Sequence, residues 1–198
     1  MTPWQWLGLG AAAGAVAWFF WPKDVEASLP KVGSKALLVG DSLAVGLGPP
    51  LSKALLPALL TTRAHVSATT KDWTAGQYAS EVSPGGAEIV FVSLGTNDTV
   101  PGANISGLEQ RFKTLADSIR KAGATPLFLE PPALPWSRQP IADAVKAANA
   151  ILIKARAGLE HAGDKIHLTP KGYADWAADI AKQLKVGVVG HPVESFLP

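Results

Sequence analysis

The sequence predicts an α/β domain built on a short, mostly parallel sheet with helices on both faces, preceded by an N-terminal transmembrane helix. Three observations carry that prediction. Apolar runs alternate with amphipathic stretches from about residue 35 to 185, the order that parallel β-α-β units require. Polar segments rich in Gly, Asp, Ser and Asn fall just past three of the apolar runs, where open parallel sheets bind their ligands. Finally, residues 4 to 21 carry only one strongly polar side chain, Gln5.

As a helix, residues 4 to 21 would be ~27 Å long, close to the thickness of a bilayer's hydrocarbon core. Trp4 and Trp6 mark one end and Trp18, Phe19, Phe20 and Trp21 the other, the pattern of interfacial aromatic belts. Residues 1–22 therefore read as a single-pass anchor whose partner is the lipid bilayer, followed by a linker at 23–34. Gly10 and Gly14 form a small-xxx-small pattern through which two such helices can associate, although Gly/Ala richness without pairing accounts for it more simply. The rival is a signal sequence cleaved after Val25-Glu26-Ala27; no Lys or Arg precedes the apolar run, and the run is longer than a signal's apolar core. Lys23, Lys31 and Lys35 follow the run, a count that favours a cytoplasmic C-terminal domain.

Lys35 to Gly40 is a short apolar run closed by glycine, as in a buried parallel strand, and stops at Gly40-Asp41-Ser42-Leu43. Leu51, Leu55, Leu56 and Leu59 predict a covering helix over 50–60, and Arg63 to Ser67 a second strand leading into Ser67-Ala68-Thr69-Thr70. Glu88 to Leu94 is the third strand, ending at Gly95-Thr96-Asn97-Asp98. Leu108, Phe112, Leu115 and Ile119 share one helical face, with Gly123 as C-cap. Thr125 to Glu130 is the fourth strand, stopped by Pro131-Pro132, and Ile141, Val145, Ala148, Ile151 and Leu152 predict a helix over about 141–157. In the last helix Thr169 caps, Pro170 takes the first position, and Tyr173, Trp176, Ile180 and Leu184 face the core. Residues 186–198 read as a tail.

Composition narrows the chemistry. Net charge is +2 with scattered Lys and Arg, so no basic stripe points to nucleic acid. With no cysteine there is no thiol nucleophile and no Cys-based zinc site, and no metal is expected. A serine hydroxyl needs a base to take its proton, and His is the usual one; Ser42 and His167 fit those roles. Asp164, three residues before His167, can reach the other imidazole nitrogen and hold its tautomer. Attack on a carbonyl creates an oxyanion whose donors are each worth about 2.7–4 kcal/mol of barrier; Asn97 and the backbone N–H groups at Ser42 and near Ser67 are the candidates. Asp41 and Asp98 read as structural hydrogen-bonding groups of their turns. Trp73 reads as core, with pocket lining the alternative, and His65, His161 and His191 belong to no partnered motif.

With those residues in place the chain resembles the SGNH/GDSL hydrolase family. Gly-Asp-Ser-Leu at 40–43 is similar to its first block, Gly-Thr-Asn-Asp at 95–98 to its third, and Asp-Lys-Ile-His-Leu-Thr-Pro-Lys-Gly-Tyr at 164–173 to its fifth. The resemblance runs from about 35 to 185. It implies a flavodoxin-like three-layer α/β/α fold and a serine esterase, lipase or deacetylase that needs no cofactor. It also implies that Ser42 is nucleophile and first oxyanion donor, Asn97 the side-chain donor, His167 the base and Asp164 its partner.

Two departures stand out. Ser67 takes the place of the glycine whose N–H completes the oxyanion hole in the family's second block, with Ala68 and Gly76 as alternatives. Family members also carry a strand between the penultimate helix and the fifth block, for which Gly158 to Gly163 is too short, so a trimmed sheet edge and an open site are expected. The expected activity is removal of small acyl groups, such as acetyl, from an envelope glycan or peptidoglycan; the resemblance favours the cell envelope, whereas the Lys count favours the cytoplasmic side of the membrane. A lysophospholipase, thioesterase or O-acyltransferase shares the mechanism; a membrane-tethered scaffold that kept the fold without turnover is the alternative from another class.

Overall fold

The computed structural model describes residues 34–185. The expected anchor at 4–21 with Gly10 and Gly14, the linker before Ser34, and the tail at 186–198 with His191 lie outside them. Among the described residues no helix is long and apolar enough to cross a membrane.

Five parallel strands form one sheet: β1 (Lys35–Gly40), β2 (Leu59–Ala64), β3 (Ile89–Ser93), β4 (Thr125–Leu129) and β5 (Ile151–Ile153), in the order β2-β1-β3-β4-β5. Alternate residues of each strand feed opposite faces, and both faces are covered. On one side α1 (Ser42–Ala54) and α5 (Pro170–Lys185) bring Leu43, Leu47, Leu51, Trp176 and Ile180 onto Leu38, Phe91 and Leu127. On the other, α2 (Thr70–Thr74), α3 (Leu108–Lys121) and α4 (Gln139–Ala147) bring Trp73, Phe112, Leu115, Ile119 and Val145 onto Val39, Val90, Val92 and Phe128. Each such apolar side chain contributes about 1.5–3 kcal/mol on burial. The flavodoxin-like three-layer arrangement is therefore present.

This order makes β1 the switch point, since the chain winds one way to β2 and the other way to β3, β4 and β5. The crevice of such a sheet opens at the carboxyl ends of the strands flanking that point. Gly40 pairs with Ala64 on one side and Ser93 on the other, which brings the three segments after β1, β2 and β3 to one rim.

Three expected elements are corrected. The first helix starts at Ser42 and ends at Ala54 instead of covering 50–60. It runs through Gly46, Gly48, Pro49 and Pro50, and packing requires the two glycines: a Cβ on Gly46 would strike the Tyr173 ring, and one on Gly48 the Thr62 side chain. The second strand is Leu59–Ala64 instead of 63–67. It is a half-exposed edge strand with Leu59 60 % accessible, so it lacks the apolar signature of a buried strand. The helix expected over 141–157 ends at Ala147, Asn149 turns the chain at φ 50°, and Ile151–Ile153 form β5. The sheet edge is therefore not trimmed. Its last strand is masked in the sequence because Ile151 and Leu152 also satisfy the helical periodicity of the residues before them.

Candidate active site

Ser42 is the first residue of α1. Its predecessor Asp41 caps the helix, Oδ1 accepting the Leu43 N–H at 2.9 Å while the Asp41 N–H donates to the Ser93 carbonyl at 3.1 Å. The turn is tight: a Cβ on Gly40 would collide with the Ser93 carbonyl and the Ala44 methyl. Asp41 is fully buried and, among the described residues, its Oδ2 has no hydrogen-bond partner. Burial pushes its carboxyl up to about 7, the nearby Asp98 charge adding to the rise and the Leu43 N–H and His167 opposing it.

His167 reaches this turn from the loop before α5. Its Nε2 lies 2.8 Å from Ser42 Oγ and its Nδ1 2.6 Å from Asp164 Oδ2. Asp164 is held by its own loop: Oδ1 accepts the Ile166 and His167 N–H groups, each at 2.9 Å, and Lys165 takes a left-handed φ of 61° to allow it. Above all the hydrogen bond from His167, and then those two N–H groups, hold the Asp164 carboxyl down to about 2. Thr169 supports the loop from below, accepting the Gly172 N–H through Oγ1, while Gly172 sits so close to the Glu160 carbonyl that any Cβ would overlap it. Burial and the charges of Asp41 and Asp164 raise the Tyr173 phenol.

The loops after β2 and β3 supply the opposite wall. Asn97 Nδ2 donates to the Ala68 carbonyl at 3.0 Å, which fixes the amide beside the loop and leaves its second N–H. Of the three candidates for the backbone donor, Ala68 N–H is spent on the His65 carbonyl at 3.1 Å, and Gly76 follows α2, beyond the loop. Among the described residues nothing accepts from the N–H of Ser42 or Ser67. Ser67 has φ 63°, a conformation that glycine adopts freely and that costs another residue about 1–2 kcal/mol.

Other residues fall where packing puts them. Trp73 is 1 % exposed in the second core cluster. Asp98 accepts from the Thr70 N–H and hydroxyl at 2.9 and 2.6 Å, a structural role, but one that reaches a residue 28 positions away instead of closing its own turn. His65 does have partners: Nε2 meets the Glu81 carboxylate at 3.0 Å and the ring stacks on Tyr78 at 3.7 Å. Among the described residues no cluster of His, Cys, Asp and Glu is able to hold a metal ion. Reading by motif also passed over Arg111, whose Nε donates to Thr70 Oγ1 at 2.7 Å.

The model of the GDSL-like lipase/acylhydrolase family matches residues 38–189. The chain belongs to that family. This GDSL-like hydrolase is thus an enzyme of the SGNH/GDSL ester hydrolase type. No curated protein sequence matches it. Among solved structures it is similar to a carbohydrate esterase family 3 protein from Talaromyces cellulolyticus, at 18% identity and TM-score 0.60 over 76% of this chain and 96% of that one. It is similar also to the psychrotrophic esterase EstA from Pseudoalteromonas sp., at 15% identity and TM-score 0.57 over 76% and 95%. A GDSL-like lipase from Bacteroides thetaiotaomicron gives 16% identity and TM-score 0.54 over 76% and 87%. At these identities the GDSL-like hydrolase shares their fold.

Proposed function

We propose that this hydrolase works through an acyl-enzyme, with Ser42 as nucleophile, His167 as general base and then general acid, and Asp164 as the residue that orients His167. Ser42 Oγ adds to the ester carbonyl while its proton passes to Nε2 of His167. The oxyanion is held by the N–H groups of Ser42 and Ser67 and by Asn97 Nδ2. Collapse expels the alcohol, protonated by His167; water then repeats the sequence on the acyl-enzyme and releases the acid. The observation that carries this reading is the unbroken line Asp164 Oδ2, His167 Nδ1, His167 Nε2, Ser42 Oγ, with links of 2.6 and 2.8 Å.

The proposed substrate is a small acyl ester, such as acetyl, on an envelope glycan or peptidoglycan, the enzyme being tethered to the membrane through residues 4–21. An exposed triad supports it, His167 and Asp164 side chains being 38 % and 47 % accessible, because a bulky acceptor can reach Ser42. The decisive measurement is hydrolysis of p-nitrophenyl acetate by the full chain in detergent beside Ser42→Ala. The variant loses about 10³-fold or more in kcat; release that does not depend on Ser42 overturns the hydrolase reading in favour of a scaffold. Membrane fractionation and the mass of the intact N-terminus test the tether, and a polypeptide starting at Ser28 rejects it.

One observation favours a second reading, a lysophospholipase or thioesterase of the same mechanism. A groove of about 380 Å³ lined by Val45, Gly48, Pro49, Ser52, Thr62 and Ala64 opens along α1, with exposed Val45 one helical turn from Ser42. A series of acyl esters separates the readings: kcat/KM that falls steadily from acetyl supports the first, and kcat/KM that rises to eight or more carbons supports the second.

A further inference from the structure

Asp98 ends the Gly95–Asp98 segment, is 6 % exposed, and faces the loop that carries Ser67. Its carboxylate grips Thr70 twice, through the backbone N–H and through the hydroxyl. The hydroxyl has one proton, given to Asp98 Oδ1, so its lone pair is free to accept, and Arg111 Nε from α3 donates to it at 2.7 Å. Arg111 also places one terminal nitrogen 3.4 Å from Asp98 Oδ1 and donates through the other to the Ser106 carbonyl at 2.8 Å. The guanidinium, the hydroxyl and the carboxylate thus form a closed, charge-assisted ring across α2, the loop after β3, and α3.

We infer that Arg111 is a positioning residue for the oxyanion loop: acting through Thr70 and Asp98, it pins residues 67–70 against Asn97. The inference rests on the hydrolase reading above for its catalytic consequence. Ser67 is held at a left-handed φ it would otherwise leave, and its N–H acts as an oxyanion donor only in that conformation. The loop is tied at Ala68, whose N–H donates to the His65 carbonyl and whose carbonyl accepts from Asn97, and at Thr69, whose N–H and hydroxyl donate to Asp72 Oδ2; the ring adds the anchor at Thr70 that fastens this segment to α3 and to the loop after β3. Arg111 has an electrostatic part as well. Asp98 would oppose negative charge developing beside Asn97, and the guanidinium next to it offsets that repulsion.

The test uses Thr70→Val, Thr70→Ser and Arg111→Met in the full chain, read by steady-state kinetics and by deuterium exchange. Thr70→Val and Arg111→Met lower kcat about tenfold or more with KM within about threefold, a fraction of the roughly 10²–10³ lost when an oxyanion donor is deleted outright. Exchange over residues 67–69 rises by about tenfold in both while β3 and α1 exchange as in the parent, and Thr70→Ser restores both readouts. Unchanged exchange over 67–69, or unchanged kcat in the two variants, overturns the inference. Should Arg111→Met fail to fold, the Val and Ser pair at Thr70 decides it. Should the parent show no Ser42-dependent turnover, the hydrolase reading falls and the exchange readout alone decides the clamp.

Discussion

Asp164 touches His167 with both carboxylate oxygens, one on the ring at 2.6 Å and the other on the backbone N–H at 2.9 Å. The imidazole is therefore oriented by a residue within its own loop. Asp164→Asn removes the acceptor that selects the tautomer and lowers kcat by about 10²–10⁴-fold. Asp164 titrates at about 2, below its ordinary 3.8, so it stays ionised at every practical assay pH. The acid limb of the parent's kcat/KM profile then belongs to another group. By the same sign, the stability Asp164 contributes is present above pH 3.8 and is lost as pH falls through about 2.

Asn97 is a transition-state donor in the proposed mechanism, so its loss is expected in kcat and not in binding. Asn97→Ala lowers kcat about 10²–10³-fold with KM nearly unchanged. Steady-state kinetics on p-nitrophenyl acetate check this, and a change confined to KM would remove Asn97 from the oxyanion hole.

Asp41 runs the opposite way from Asp164. Its carboxyl is raised from 3.8 to about 7, so the native state holds the proton more tightly than the unfolded chain. The stabilisation is full below pH 3.8 and is lost as pH rises through about 7, amounting to at most about 4 kcal/mol at 1.36 kcal/mol per unit. The charged groups facing it are Asp98 and His167. Asp41→Asn keeps an acceptor for Leu43 and removes the titration, so urea melts from pH 4 to 8 show the variant gaining on the parent as pH rises. Parallel curves would contradict the burial argument.

Gly172 lies against the Glu160 carbonyl with no room for a methyl group. Gly172→Ala forces α5 away from the strap that carries Asp164 and His167, at a cost of about 1–3 kcal/mol. Thermal melts register the loss, and kcat falls with it. A variant as stable and active as the parent would show that the loop yields freely.

The legible parts of the sequence were those whose chemistry is local. Gly40 to Leu43 and Asp164 to His167 each hold their turn with neighbours a few residues away, and Gly95 to Asp98 is closed locally by the Thr99 hydroxyl on the Gly95 carbonyl, although its Asn97 and Asp98 side chains bond Ala68 and Thr70 on a distant loop. What escaped depended on distant partners. The start of α1 is hidden by helix-breaking residues, of which Gly46 and Gly48 are explained only by Tyr173 and Thr62, and β5 by a three-residue span too short for its own period. Arg111 meets Thr70 across 41 residues, a relationship no spacing rule contains.

All of the proposed chemistry sits at the carboxyl end of the sheet, whereas the polypeptide joins the domain at the amino end, where the Ser34 carbonyl accepts the Leu59 N–H beside the start of β1. The six residues of β1 separate these ends by roughly 20 Å. The mouth of the site and the point where the chain enters β1 therefore lie at opposite ends of the sheet, so substitutions at Ser34 or Lys35 act far from the groups that would meet a substrate.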